Sequence, residues 1–352
     1  MQYTSGTTGY PKGVMLTHAN LVGNAQSMAE IMALTSDDNM CIPVPFFHCF
    51  GCVIGTMCCL VSGATMCPVT GFKAKTVMET VDALQCSVLH GVPTMFIEEL
   101  EEMKHKPYDT SALRTGVMAG ATCPIELMKA VIKEMGAKEL TIVYGQTEAS
   151  PGITQTRRDD PLDIRTASVG RALPNVAVKI VDPVTNREVP RGDTGELCSR
   201  GYHVMKGYYK MPDKTAEAID AQGWLHTGDL ATMDEAGNCS IIGRLKDMII
   251  RGGENVYPRE IEEFLYTHPK IKDAQVVGIP SRKYGEEVAA FIQLRPGESC
   301  TAEQVREFCK DKISFHKIPG YIYFVSEYPT TASGKIQKYK LRDMATEEIQ
   351  AP

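Results

Sequence analysis

Residues 3–14 read Tyr3-Thr4-Ser5-Gly6-Thr7-Thr8-Gly9-Tyr10-Pro11-Lys12-Gly13-Val14. Three glycines, four Ser/Thr hydroxyls, one proline and one lysine share this stretch, a composition that suits neither a helix nor a strand interior. Gly6, Gly9 and Gly13 let the backbone approach a ligand closely and turn through positive φ. Successive N–H groups of such a turn converge on one anion, as in phosphate-binding nests. Thr4, Ser5, Thr7 and Thr8 add hydroxyl donors and contacts for Mg²⁺, and Lys12 adds a mobile positive charge. A surface linker is the competing reading. Apolar Val14, Met15 and Leu16 follow at once, however, and a helix start comes next, so the loop is held between packed elements. The Walker phosphate loop does not fit: Pro11 stands where its second glycine should precede the lysine, and Gly13 stands where its Ser or Thr should follow.

Outward from the loop, 352 residues suffice for one large and one small domain. A hydrophobic content of 43%, a charged content of 23% and a net charge of −6 describe an ordinary globular protein. No basic face points to nucleic acid; Arg157-Arg158 is followed directly by Asp159-Asp160. The apolar run near 52–61 is too short and interrupted to span a bilayer, and the opening residues lack a charged n-region followed by an apolar h-region, so secretion is not expected. We therefore expect a cytoplasmic protein. Its twelve cysteines lie mostly among apolar neighbours and read as reduced core residues. Cys49 and Cys52 form a C-x-x-C beside His48, but no second ligand pair sits nearby in sequence, so packing is preferred to a metal role.

Thr17 reads as the N-cap of a helix reaching about Leu34. Strands are expected over 41–47, 64–69, 87–90, 115–119 and 140–144, with helices between them to 61, over 73–84, from Pro93 and over 124–135. That alternation predicts βαβ units and a mainly parallel sheet. From about 162 to 243 short strands separated by Pro, Gly, Asp and Asn predict a β-rich subdomain, with a hairpin loop at 234–238. From 244 onward the pattern is α+β: helices over 258–267 and 302–312, strands over 274–279, 288–294 and 321–325. The expected fold is an α/β large domain over 1–243 and a small mobile α+β domain over 244–352, hinged at about 244–247.

The loop resembles the phosphate loop of the adenylate-forming enzymes, the superfamily of acyl-CoA synthetases, luciferases and adenylation domains. Its signature, Ser-Gly-Thr-Thr-Gly-x-Pro-Lys-Gly, matches at every fixed position from Ser5 to Gly13. Other stretches resemble the same family in the same order: Ala119-Gly120-Ala121, Tyr144-Gly145-Gln146-Thr147-Glu148, the run from Gly223 to Leu230 with Asp229, Arg244 with Lys246, Arg251 to Asn255 with Gly253, and Pro329 to Lys335. Ala119 departs mildly from the family's usual Gly or Ser.

The resemblance implies roles residue by residue. Thr4 through Gly9 and Lys12 cradle phosphates. Gly120 and Ala121 admit adenine, and Tyr144 stacks on it, beside Gly145, Gln146 and Thr147. Glu148 holds Mg²⁺ together with Thr4. Asp229 accepts the ribose hydroxyls, Arg244 completes the ribose and phosphate contacts, and Lys246 marks the hinge. Gly253 keeps a pantetheine tunnel open, and Lys335 contacts the carboxylate during adenylation. His48 lines the acyl entrance, and Gly145 leaves room for medium or longer acyl chains. The implied activity is that of a fatty-acid-CoA ligase using ATP, Mg²⁺ and coenzyme A. Loading a carrier protein, adenylating an aryl acid, or a non-catalytic nucleotide-binding fragment are the alternatives. Because only Met1 and Gln2 precede the loop, a family N-terminal part is expected to be missing or carried elsewhere. Apolar surface so uncovered would be taken up by that segment or by a second copy of the chain.

Overall fold

The computed structural model describes residues 1–4, 11–121, 123–331 and 336–350. Contacts divide the chain into two units: residues 1–227 with 231–241, and residues 228–230 with 242–352.

The first unit is organised on a seven-stranded sheet. Its parallel part runs β4 (Thr65–Pro68), β3 (Asn39–Ile42), β5 (Val88–Gly91), β6 (Thr115–Ala119) and β7 (Glu139–Gly145); β8 (Gly152–Gln155) and β9 (Arg171–Ala172) extend it antiparallel. Every residue of β5 and β6 is buried, as strands covered on both faces must be. Side-chain alternation sorts them into two cores. Cys41, Leu89, Met118 and Ile142 face Val77, Phe96 and Met128 from helices on one side. Met40, Val88, Val117 and Val143 face Met28 and Val53 on the other. The expected mainly parallel sheet is present, and helices cover both of its faces.

Local chemistry sets the helix starts. Asn20 N–H donates to Thr17 Oγ1 at 3.0 Å, and Thr17 N–H to Asn20 Oδ1 at 2.7 Å, closing a capping box ahead of helix His18–Ile31. The strand expected over 41–47 ends at Ile42, because Pro43 and Pro45 carry no N–H to donate to a ladder. Phe50–Met57 is wound as a π-helix before Cys58–Ser62 continues as α-helix.

A four-stranded sheet follows, ordered β10 (Val176–Val181), β11 (Gly195–Gly201), β13 (Leu225–Met233) and β14 (Cys239–Arg244). The loop at 234–238 closes β13 and β14 as expected: Asn238 N–H donates to Asp234 Oδ1 at 2.7 Å, and Gly237 supplies φ +84°. In the second unit β15 (Ile249–Arg251), β16 (Glu254–Val256), β17 (Ile271–Ser281), β18 (Gly285–Leu294) and β19 (Tyr321–Phe324) form one sheet. Helices Pro258–Tyr266 and Ala302–Cys309 bury Ile261, Leu265 and Val305 with Val276 and Val288. No helix among the described residues is long and apolar enough to cross a membrane.

Candidate functional site

β1 (Gln2–Tyr3) pairs antiparallel with β2 (Gly13–Met15), Tyr3 opposite Gly13. The ends of the glycine loop are therefore clasped. Thr4 N–H donates to Lys12 O at 3.0 Å, and Lys12 N–H to Thr4 Oγ1 at 3.3 Å. Ser5, Gly6, Thr7, Thr8 and Gly9 lie outside the described residues, as does Lys335.

A second pairing completes the arrangement. β12 (Gly207–Tyr208) joins β2 with Tyr208 opposite Val14, which brings the Tyr208 phenol to Lys12. Lys12 Nζ donates to Tyr208 Oη at 2.9 Å and stands 4.1 Å from the ring centroid. The same hydroxyl donates to Glu148 Oε1 at 2.7 Å. Burial first, then the Glu148 charge, holds the phenol far above its ordinary pKa. Tyr208 is thus a fixed neutral bridge between a cation and a carboxylate.

Glu148 sits in the 3₁₀ turn Thr147–Ala149 just beyond the carboxyl end of β7, where open α/β sheets carry their ligands. Met205 N–H donates to Glu148 O at 2.9 Å, and Ser150 Oγ to His203 O at 2.7 Å, tying this turn to the chain ahead of β12. Tyr144, near the end of β7, and Gly120, just past β6, end adjacent parallel strands registered Ala119 opposite Val143. Gly120 has φ +86°, a conformation that suits glycine; Ala121 follows it.

Gly145 has a local cause. A Cβ there would stand 1.8 Å from the Pro151 carbonyl oxygen, and Gln146 N–H donates to that same oxygen at 2.9 Å. The glycine is required by this close backbone approach. Thr147 Oγ1 lies 3.7 Å from Cys49 Sγ, which brings the 48–49 segment to the same place. Phe50 N–H donates to His48 Nδ1 at 3.1 Å, so that nitrogen is the acceptor and a ring proton sits on Nε2. Burial pushes the Cys49 thiol up to about 11, and all twelve cysteines are free.

In the second unit Arg244 Nε lies 3.3 Å from Asp229 Oδ1, and Asp229 is buried. Lys246 is in the turn Leu245–Asp247. Gly253, at φ +90°, turns β15 into β16 with Arg251 opposite Glu254. The first unit thus gathers Thr4, Lys12, His48, Thr147 and Glu148 through named contacts, and the second pairs Asp229 with Arg244. Tyr208 is the residue that sequence reading missed; only the register of a two-residue strand puts it at Lys12.

Two family models match the chain: AMP-binding enzyme over residues 1–209, and AMP-binding enzyme C-terminal domain over residues 260–335. "Putative acyl-CoA synthetase YngI" of Bacillus subtilis (strain 168) is 63% identical over 347 residues, covering 99% of this chain and 63% of that protein. Mitochondrial medium-chain acyl-CoA ligase ACSF2 of Macaca fascicularis is 46% identical over 350 residues, covering 97% of this chain and 56% of that protein. ATP-bound MatB from Rhodopseudomonas palustris superposes with a TM-score of 0.92 at 32% identity, covering 99% of this chain and 68% of that one. The chain spans 63% and 56% of the length of the two curated relatives. With the residues flanking its glycine loop clasped together and Lys12 joined through Tyr208 to Glu148 just past β7, the chain belongs to the AMP-binding enzyme family.

Proposed function

We propose that the chain carries an AMP-forming acid–thiol ligase that converts a medium- or long-chain carboxylic acid to its coenzyme A thioester. The observation that carries this reading is the Lys12–Tyr208–Glu148 bridge beside the clasped loop ends. In the first step a carboxylate oxygen attacks the α-phosphorus of ATP while the bond to pyrophosphate breaks. Two anions must meet, so the site needs fixed positive charge and N–H donors rather than a protein nucleophile.

We assign Lys12, Thr4 and the loop residues Ser5, Gly6, Thr7, Thr8 and Gly9 to the phosphates. Glu148 and Thr4 are assigned to Mg²⁺; a carboxylate and a hydroxyl are the oxygen donors that a hard cation takes. When bound, Mg²⁺ supplies Lewis-acid polarisation of phosphoryl oxygens. Gly120, Ala121, Tyr144, Gly145, Gln146 and Thr147 are assigned to the nucleotide, as are Arg244 and Asp229, the Asp229 carboxylate accepting hydrogen bonds from the ribose hydroxyls. Lys335 is assigned to the reacting carboxylate and His48 to the acid's entrance.

In the second step the thiol sulfur of coenzyme A attacks the acyl carbonyl, AMP departs and the thiol proton passes to solvent. Different groups serve the two steps. We therefore assign a hinge to 244–247, with Lys246, between domains 1–243 and 244–352, and Gly253 to the pantetheine path. The medium-chain class is taken from the name of the ACSF2 relative, and a reducing cytoplasm suits twelve free cysteines.

Pyrophosphate release from Mg-ATP, measured against acids from acetate to palmitate with and without coenzyme A, tests this. Acid-dependent release peaking at medium or long chains, with thioester formed only when coenzyme A is present, is expected. Nucleotide binding without release for any acid would overturn it in favour of a binding-only chain.

A further inference from the structure

We propose that Glu196, Cys198 and His226 form a binding site for a borderline-soft divalent cation, zinc foremost, separate from the residues assigned to ATP and its magnesium. Glu196 and Cys198 are two apart on β11 and so share one face of the strand. β13 is the neighbour of β11 and carries His226 alongside them.

The three ligand atoms already converge. Glu196 Oε2 lies 2.8 Å from His226 Nδ1, Cys198 Sγ lies 3.4 Å from the same nitrogen, and all three atoms fall within 4.8 Å of one another. Tetrahedral zinc with ordinary Zn–S and Zn–N bonds keeps its donors roughly 3.3–3.6 Å apart. The sulfur–nitrogen spacing therefore fits as it stands, and the Glu–His pair need open by only about half an ångström. A hydrogen-bonded Glu–His pair alone accounts for two of these residues. It does not account for a thiol directed at the same ring nitrogen.

The surroundings match a metal-binding histidine. The far nitrogen of His226, Nε2, faces Asp220 Oδ2 at 3.8 Å. Asp220 is itself fixed by N–H donation from Gln222 and Trp224 to Oδ1 at 2.8 and 2.9 Å. A carboxylate behind the ligating imidazole is the usual outer support of such a site. Charge also balances: a Cys198 thiolate and the Glu196 carboxylate neutralise a dication, while Asp220 is offset by Lys179, directly opposite Cys198 across the β10–β11 pair. Thiolate with imidazole selects zinc or cobalt over magnesium or calcium. Cys198 is fully buried, whereas the His226 side chain keeps 21% of its surface exposed. That edge gives the ion an entry and leaves a fourth position for water.

Cobalt(II) titrated into the metal-free chain, with a phosphine reductant, tests the site. One equivalent is expected to produce four-coordinate visible bands and a near-ultraviolet thiolate-to-cobalt charge-transfer band, and one equivalent of zinc should bleach both. Cys198→Ser should remove the charge-transfer band and weaken zinc at least tenfold in competition with a chromophoric chelator. Asp220→Asn should keep the band and weaken zinc about tenfold. Absence of the band at saturating cobalt, or its survival in Cys198→Ser, would overturn the proposal. An unchanged melting curve for metal-free Cys198→Ser separates lost ligation from lost fold. If that variant fails to fold, zinc affinity in Glu196→Gln decides: a tenfold loss supports the site, and an unchanged affinity rejects it.

Discussion

Replacing Glu99 tests the energetics of the large core directly. Glu99 lies in helix Pro93–His105 and is 0% exposed, and neither of its carboxylate oxygens has a hydrogen-bond partner among the described residues. Burial, with a smaller push from Glu98, raises its pKa to about 8 from the ordinary 4.5. The folded chain therefore holds a proton that the unfolded chain releases above about pH 4.5. With the folded value raised, stability is full below that pH and declines as pH rises towards 8. Each pKa unit is worth about 1.4 kcal/mol, so between pH 5 and pH 7.5 the loss amounts to about 3 kcal/mol.

Glu99→Met fills a similar volume and cannot titrate. Its advantage over the wild type should grow by about 3 kcal/mol between pH 5 and pH 7.5, shifting the urea midpoint by roughly 1 M. The assay is urea unfolding followed by tryptophan fluorescence, because the single tryptophan, Trp224, belongs to the first unit and reports on it. Parallel pH dependences for variant and wild type would refute the argument, since they would mean that Glu99 keeps its charge on folding. Glu99→Gln offers a second check. It should also lose the pH dependence, yet gain less stability, because its buried amide would still lack partners.

Tyr208→Phe breaks both hydrogen bonds of the bridge and should raise the KM for Mg-ATP about tenfold, in keeping with the loss of charge-assisted hydrogen bonds, with the KM for the acid little changed; an unchanged Mg-ATP KM would count against the bridge. Lys335→Ala should abolish pyrophosphate release yet spare thioester formation from a supplied acyl-adenylate, and equal loss in both half-reactions would reject that assignment. Gly145→Ala drives a methyl group towards the Pro151 carbonyl oxygen, 1.8 Å from an ideal Cβ, so its melting temperature should fall by several degrees; wild-type melting would show that the glycine serves the ligand instead.

What the sequence disclosed, and what it hid, follows from the range of the interaction involved. Thr17 and Asn20 cap a helix within four residues, and the alternation of β5 and β6 with helices fixes two buried faces, so both were legible. The hairpin loop at 234–238 implies a strand ahead of it, but the extent of β13 is hidden because Thr227-Gly228-Asp229 reads locally as a turn; Gly228 does adopt φ +70°, yet the strand continues through it. Helix Lys338–Gln350 was missed because its sequence is largely polar. Leu341 and Ala345, one turn apart, are buried and anchor it against Val277 and Phe291.

The candidate site divides along the same line. Chemistry that needs particular residue types at short fixed spacing, such as the hydroxyls and glycines of 4–13 or the carboxylate three residues past β7, can be read from the sequence, because the spacing is the constraint. The part that joins these groups cannot. Lys12 and Glu148 are 136 positions apart, and the phenol connecting them comes from a strand of two residues whose only recommendation is its register on β2. A two-residue strand has no periodicity to detect, and a tyrosine after a glycine carries no signature of its own. The same holds for the close approach of the Pro151 carbonyl to Gly145, which comes from backbone pairing and has no local signature in the sequence. Positions assigned to substrate are thus exposed by local pattern. Positions that hold those groups at their working distance depend on long-range pairing, and for them the register is the information.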